Sequence, residues 1–329
     1  MNCRRLQVVL SLLVAFTSAL AAAQQFIVAP KLPGAPATYT LAADVNGDGN
    51  SDLVLLGYNV NSRQTVLTIL LGNGAGNFNQ AQQITQDNVQ PRAIATGDWN
   101  GDGIPDLALG EIFPNTLAIY LGVGDGTFTA GNQYSLGDFV DGIAAGDLNG
   151  DGIADLITSN DLGTLSVLLG QGGGNFGAPV NYSLGSISEA EEVIVADFNR
   201  DGKLDVAVAL PESSSDGSLA VLLGKGDGSL QTAVQYSTGT SFALHLVAAD
   251  FNHDGILDIA TAGTFFLGVL VGNGDGTFQT AKSYATIRDS GPIRVSDLNG
   301  DGNPDVVAVN TTYQPFAIAV FLGNADGSF

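Results

Sequence analysis

Six nine-residue runs in this 329-residue chain set oxygen-bearing side chains at fixed offsets. They have the form Asp-x-Asn-x-Asp-Gly-x-x-Asp and begin at Asp44, Asp98, Asp147, Asp197, Asp250 and Asp297. Position 3 is Asn46, Asn100, Asn149, Asn199, Asn252 and Asn299, and position 5 is Asp48, Asp102, Asp151, Asp201, Asp254 and Asp301. Position 9 is Asp52, Asp106, Asp155, Asp205, Asp258 and Asp305. A glycine at position 6 turns the chain, and position 7 (Asn50, Ile104, Ile153, Lys203, Ile256, Asn303) is expected to lend its backbone carbonyl. Such a set offers only oxygen, which suits a hard cation that takes six to eight oxygen ligands. Calcium is the expected cofactor, one ion per loop. Magnesium demands tighter octahedral geometry, and zinc wants Cys or His, of which the chain beyond Cys3 has only His245 and His253. An acid at position 9 that leads straight into a strand separates these loops from the helix-flanked calcium loop that ends in Glu at position 12. Arg200 and His253 at position 4 read as solvent-facing variations, not ligands.

Each loop must be carried by something that repeats with it. The spacings of 54, 49, 50, 53 and 47 residues exceed a hairpin and suit a four-stranded sheet with its turns. Within a unit, a short apolar stretch enters the loop (residues 143–146) and an alternating one leaves it (107–109). An apolar strand ending in Leu-Gly follows (117–122), then a Gly-rich turn, an aromatic and an outer segment ending near a Tyr (128–134). We designate these strands A to D, with the acidic loop between A and B. The Gly-rich turns resemble phosphate loops only superficially: a strand follows each, where a phosphate site needs a helix N-terminus. Asp-Gly and Gly-Gly there are hairpin chemistry between C and D. The expected fold is an all-β propeller of six four-stranded blades, with a seven-bladed or truncated array as the alternative. Its ring is expected to close through the N-terminal segment. The aromatics at Phe78, Phe128, Phe176 and Phe278, with Leu230 at the matching place in the fourth unit, precede their next loops by 20, 19, 21, 19 and 20 residues, and Phe26 precedes Asp44 by 18. Residues 26–30 therefore supply the strand D that the sixth unit, ending at Phe329, lacks.

Composition limits the function. The chain is 45% hydrophobic and 13% charged, which excludes wholesale disorder. Its 33 acids against 11 bases give a net charge of -22, the wrong sign for nucleic acid. Eighteen of those acids lie in the six loops. Residues 1–23 read as an export signal, with Arg4 and Arg5, an apolar run and small residues before Gln24, so the mature protein (24–329) is expected to be secreted, cell-surface or periplasmic, with no membrane span and no cysteine.

The repeated loop, the Leu-Gly-x-Gly-x-Gly-x-Phe turn and Phe176-Gly177-Ala178-Pro179 together resemble the FG-GAP or VCBS repeats of integrin α-subunit propellers. That resemblance covers nearly all of the mature chain and implies a calcium-binding propeller with each ion in an A–B loop. Integrin propellers have seven such repeats, and here there are six. It also implies ligand binding on the face away from the ions, where the B–C loops lie: residues 57–63, 111–115, 211–216, 264–266 and 312–316. Aromatic and Arg side chains there are candidate anchors. No catalytic set is legible, since His245 and His253 flank one strand and its loop. The expected function is an exported non-enzymatic binding or adhesion module for a protein or glycan. The alternative is a propeller-type polysaccharide lyase or other carbohydrate-active enzyme using Tyr and Arg or Lys in the central mouth.

Overall fold

The computed structural model describes residues 37–329 apart from 114, 186–188, 212–216, 287–289 and 311–316. The export signal, the closing strand at 26–30 and much of the B–C loops at 211–216 and 312–316 lie outside the described residues.

Every loop sits in its own antiparallel sheet, as the spacing predicts. Five blades have four-stranded sheets in chain order, A to D; the sixth has three strands, Ser290–Ser296, Asp305–Asn310 and Ala317–Phe321, and a separate two-stranded sheet pairs Gly170–Gly172 with Asn175–Phe176. No helix occurs among the described residues, and so none is long and apolar enough to cross a membrane. In blade 2 the strands are Gln90–Gly97, Asp106–Phe113, Thr116–Gly122 and Phe128–Ser135. The alternation expected of strand B is absent from its burial: residues 106–112 are all buried. A blade is sandwiched between its neighbours, so its middle strands carry apolar side chains on both faces. Strand D, at the rim, is largely exposed.

Five hydrophobic clusters weld the six sheets, each shared by consecutive blades. Between blades 2 and 3, Trp99, Ala108, Leu117 and Ile119 meet Val140, Leu156, Leu168 and Phe176. The apolar residue at loop position 2 is the peg of each joint. Val45, Trp99, Leu148, Phe198 and Phe251 are all buried. Trp99 takes Phe176 of the next blade edge-on at 6.0 Å, and Tyr134 stacks on the same ring at 5.7 Å. The arrangement recurs as Phe198–Phe278–Tyr236 and Phe251–Phe329–Tyr284. Leu298 of blade 6 is only half-buried, and Ile318, Val320 and Leu322, which by register match Leu117, Ile119 and Leu121, are 52%, 52% and 51% exposed. Among the described residues the flank of blade 6 toward blade 1 is uncovered.

Candidate metal loops and axial cluster

Each acidic loop is folded by its own side chains. In blade 1, Asp44 Oδ1 accepts the Gly47 amide at 2.8 Å and Oδ2 accepts the Gly49 amide at 2.8 Å. Asn46 Oδ1 accepts the Asp48 amide at 3.0 Å, and Asp48 Oδ1 accepts the Asn50 amide at 2.8 Å. These bonds bend the backbone back on itself, and positions 4 and 6 enter the left-handed region, as at Gly47 (φ 73°) and Gly49 (φ 84°). At position 4, Arg200 (φ 62°) and His253 (φ 60°) hold the same conformation without glycine's freedom. The amide hydrogen bonds hold the exposed Asp48 and Asp301 carboxyls below the usual carboxylate range.

Positions 1, 3 and 5 come together at the surface. The position 3 amide nitrogen donates to the position 5 carboxylate in five loops, at 2.9 to 3.1 Å. In blade 4, Lys203 Nζ stands 3.7 Å from Asp201 Oδ2. Position 9 is different. Asp52, Asp106, Asp155, Asp205, Asp258 and Asp305 are completely buried. In each, Oδ2 accepts the amide of position 2 and Oδ1 accepts the amide of the glycine ending strand C, as from Trp99 at 3.0 Å and Gly122 at 2.8 Å to Asp106. This carboxylate braces the loop to the blade. Burial raises the carboxyls of Asp106, Asp155 and Asp205, and lifts Asp258 to about 6. The brace also explains the glycine at this point of every unit: a Cβ on Gly122 would stand 2.4 Å from the carbonyl oxygen of Pro105 at loop position 8. Among the described residues no three Asp, Glu, His or Cys side chains already converge as a ligand set. The donor chemistry nevertheless fits calcium, with an exposed carboxylate at position 5, a carboxylate at position 1 that is half-buried in five of the six loops, an Asn carbonyl oxygen and a backbone carbonyl per loop, all oxygen.

The Gly-rich turns close as hairpins, with Val123 N–H donating to Thr127 O at 2.9 Å and Asp125 Oδ1 accepting both the amide and the hydroxyl of Thr127. They lie on the metal-loop face, since a Cβ on Gly124 would meet Ile104 at position 7.

A second constellation lies at the opposite end of the inner strands. Tyr39, Arg92, Asp141, Glu191 with Glu192, His245 and Arg294 come from blades 1 to 6 in turn, each three to six residues before its loop. Arg92 Nε lies 2.5 Å from Asp141 Oδ1, and its Nη2 is 3.2 Å from Glu191 Oε1, two blades away. Glu192 Oε2 is 3.1 Å from His245 Nδ1 and accepts the Leu246 amide at 3.0 Å; its Oε1 is 3.9 Å from Arg294 Nη1. Burial outweighs Arg92 and pushes the Asp141 carboxyl up to about 8. Burial likewise raises Glu191, and it lifts the Tyr39 phenol to about 12. Burial opposes ionisation of Glu192, but the His245 hydrogen bond and nearby positive charge win and hold it low. The signal missed in the sequence is a polar or charged residue breaking the apolar approach to each loop, three to six residues ahead of it. Read unit by unit, each is a lone oddity; the ring of blades makes them neighbours.

The recognition loops are partly relocated. Glu111 is not a loop residue: it is a fully buried strand residue whose Oε2 accepts the Thr116 hydroxyl at 2.5 Å. Phe113, Phe242, Phe265 and Phe266 are exposed, and Phe113 meets Phe139 edge-on at 5.7 Å. His253 is remote from the axial group, with Nε2 2.9 Å from Asn303 Oδ1 in the next loop.

The sequence model of the FG-GAP-like repeat matches residues 44–109, 112–158, 147–208 and 201–261. The chain belongs to the FG-GAP repeat family. No curated protein matches it in sequence. Among solved structures it is similar to an Agrocybe aegerita lectin described as recognising non-reducing terminal N-acetylglucosamine, at 19% identity and a TM-score of 0.59, over 88% of this chain and 81% of the lectin. It is also similar to BBS1N, solved in complex with ARL6DN, at 14% identity and a TM-score of 0.56, over 86% of this chain and 78% of that one. At such identities the likeness concerns the fold, and this FG-GAP protein is a β-propeller.

Proposed function

We propose that this FG-GAP protein is an exported calcium-binding propeller that serves as a non-enzymatic binding or adhesion module for a glycan or protein. The observation that carries this reading is the sixfold loop, whose position 3 amide and position 5 carboxylate meet at the surface in five of the six copies. Positions 1, 3, 5 and 7 would hold the ion, and position 9 would fix the loop beneath it. Calcium would supply charge compensation for carboxylates that otherwise repel one another. The opposite face, with exposed Phe113, Phe242, Phe265 and Phe266, is the one left for a ligand. The lectin and the BBS1N complex among its structural neighbours place glycans and proteins first in a screen.

Calorimetric titration with calcium tests the reading: several equivalents should bind, with affinity in the extracellular range of about 10⁻⁴ to 10⁻³ M or tighter. Binding of less than one equivalent would overturn it. Export is tested by sequencing the N-terminus of secreted protein, which should begin at Gln24. Tyr39, Arg92 and His245 in one axial group favour the carbohydrate-active enzyme as the second reading. Ultraviolet-absorbing unsaturated products from a polysaccharide screen would establish it in place of the first.

A further inference from the structure

The axial mouth on the face away from the metal loops is a built polar site. Around it stand the acids Asp138, Asp141, Asp161, Glu189, Glu191 and Glu192, against the bases Arg92 and Arg294 and the one imidazole of His245. Even with His245 charged and Asp141 protonated, acids outnumber bases five to three. Asp141 is the least satisfied member: its side chain is 1% exposed, Arg92 pairs with Oδ1, and Oδ2 accepts no hydrogen bond among the described residues. A buried carboxylate oxygen without a donor is costly, and a donor brought from outside relieves that cost. Arg92, Glu191, Glu192 and His245 remain a quarter to a third exposed, so the mouth is open to solvent. Phe139, which lies between Asp138 and Asp141 in the chain, pairs edge-on with Phe113, and an aromatic face next to excess carboxylate suits a cation.

We propose that this mouth binds the protonated amine of an amino sugar within a glycan. An ammonium group meets the surplus of carboxylates. The flanking hydroxyls of a sugar can add hydrogen bonds to the Arg92 and Arg294 guanidinium groups, beyond their carboxylate partners, and to the Tyr39 phenol, which the alkyl stem of a lysine cannot. The Phe113–Phe139 pair offers an apolar surface for the C–H face of the ring. The site deepens the binding-module reading by naming the ligand, and rests on it.

The test is calorimetric titration of the calcium-loaded protein with a glucosamine hexamer, its N-acetylated counterpart and a lysine-rich peptide, at a pH where the sugar amine is charged. The glucosamine hexamer should bind, the acetylated hexamer at least about tenfold more weakly, and rising salt should weaken the interaction. Glu191→Gln and the surface change Asp161→Asn should each lower affinity several-fold or more, with melting temperatures recorded to establish that both fold. Equal binding of the two hexamers, binding of the lysine peptide alone, or unchanged affinity in both folded variants would overturn the proposal. Calcium titration of the same sample separates the two ideas: calcium uptake without amine binding sinks only this inference, and amine binding without calcium uptake sinks only the metal reading.

Discussion

Asp102 and Asp106 are four residues apart in one loop and do opposite work. Asp102 is exposed and bends the loop, whereas Asp106 is buried and accepts two backbone amides. Replacing Asp106 by Asn turns one acceptor into a donor aimed at an N–H group, so Asp106→Asn should cost about 1–3 kcal/mol in urea unfolding whether or not calcium is present. Asp102→Asn should matter chiefly when calcium is present. Arg200 sits at a φ of 62°, where a side chain is strained by about 1 kcal/mol, and Arg200→Gly should recover part of that as a small rise in melting temperature. Asp141 sets a pH dependence. Its folded pKa of about 8 lies above the unfolded value, so the protonated form stabilises the fold. That contribution is complete below about pH 4 and is lost as pH climbs through about 8. Arg92 favours ionisation there, while Glu191, Asp161 and Asp138 oppose it. Stability measured from pH 5 to 9 should fall in the native protein, and the fall should flatten in Asp141→Asn. The bending role of these residues was legible because the pattern recurs six times. The bracing role of Asp106 was not, because its partner Gly122 lies 16 residues on, and only the hairpin brings the two together.

At the scale of the blade, stability comes from the pegs at loop position 2. Trp99 is buried beneath Phe176 and Tyr134 of the neighbouring elements, and Tyr134 Oη accepts the Phe176 amide at 2.8 Å. Trp99→Ala should cost about 3–5 kcal/mol in chemical denaturation, because the pocket it leaves is walled by two fixed sheets. Leu298→Ala, at the half-buried peg of the sixth blade, should cost markedly less. Strand order and turn chemistry could be read from Gly, Asp and apolar spacing, since each is set within one unit. The placing of Glu111 could not: an acid followed closely by Pro and Asn looks like a loop, and the hydroxyl of Thr116 and the side-chain amide of Gln86 let a carboxyl sit inside the strand. The axial group was hidden for the same reason on a larger scale, because Arg92 and Glu191 are 99 residues apart.

The whole molecule carries a net charge of -22, with eighteen acids drawn into loops on one face. Chelation should therefore lower the melting temperature and restored calcium should raise it again, while sodium chloride added to the chelated protein should recover only part of the loss by screening. Five clusters join six blades, and the stripe of Ile318, Val320 and Leu322 has no cover among the described residues. A blade with one flank bare among the described residues has one packed neighbour where the others have two, so opening begins there and spreads inward. Residues 26–30 are the segment expected to counter this by completing the last sheet. Amide hydrogen exchange offers the comparison: a chain starting at residue 37 should lose protection along Ala317–Phe321 well before it does along Asp155–Asn160 in the third blade. Identical protection with and without the leading residues would mean that the bare edge is guarded by something else. If protection falls there first, lifetime against proteolysis follows the last blade, however well the other five are joined.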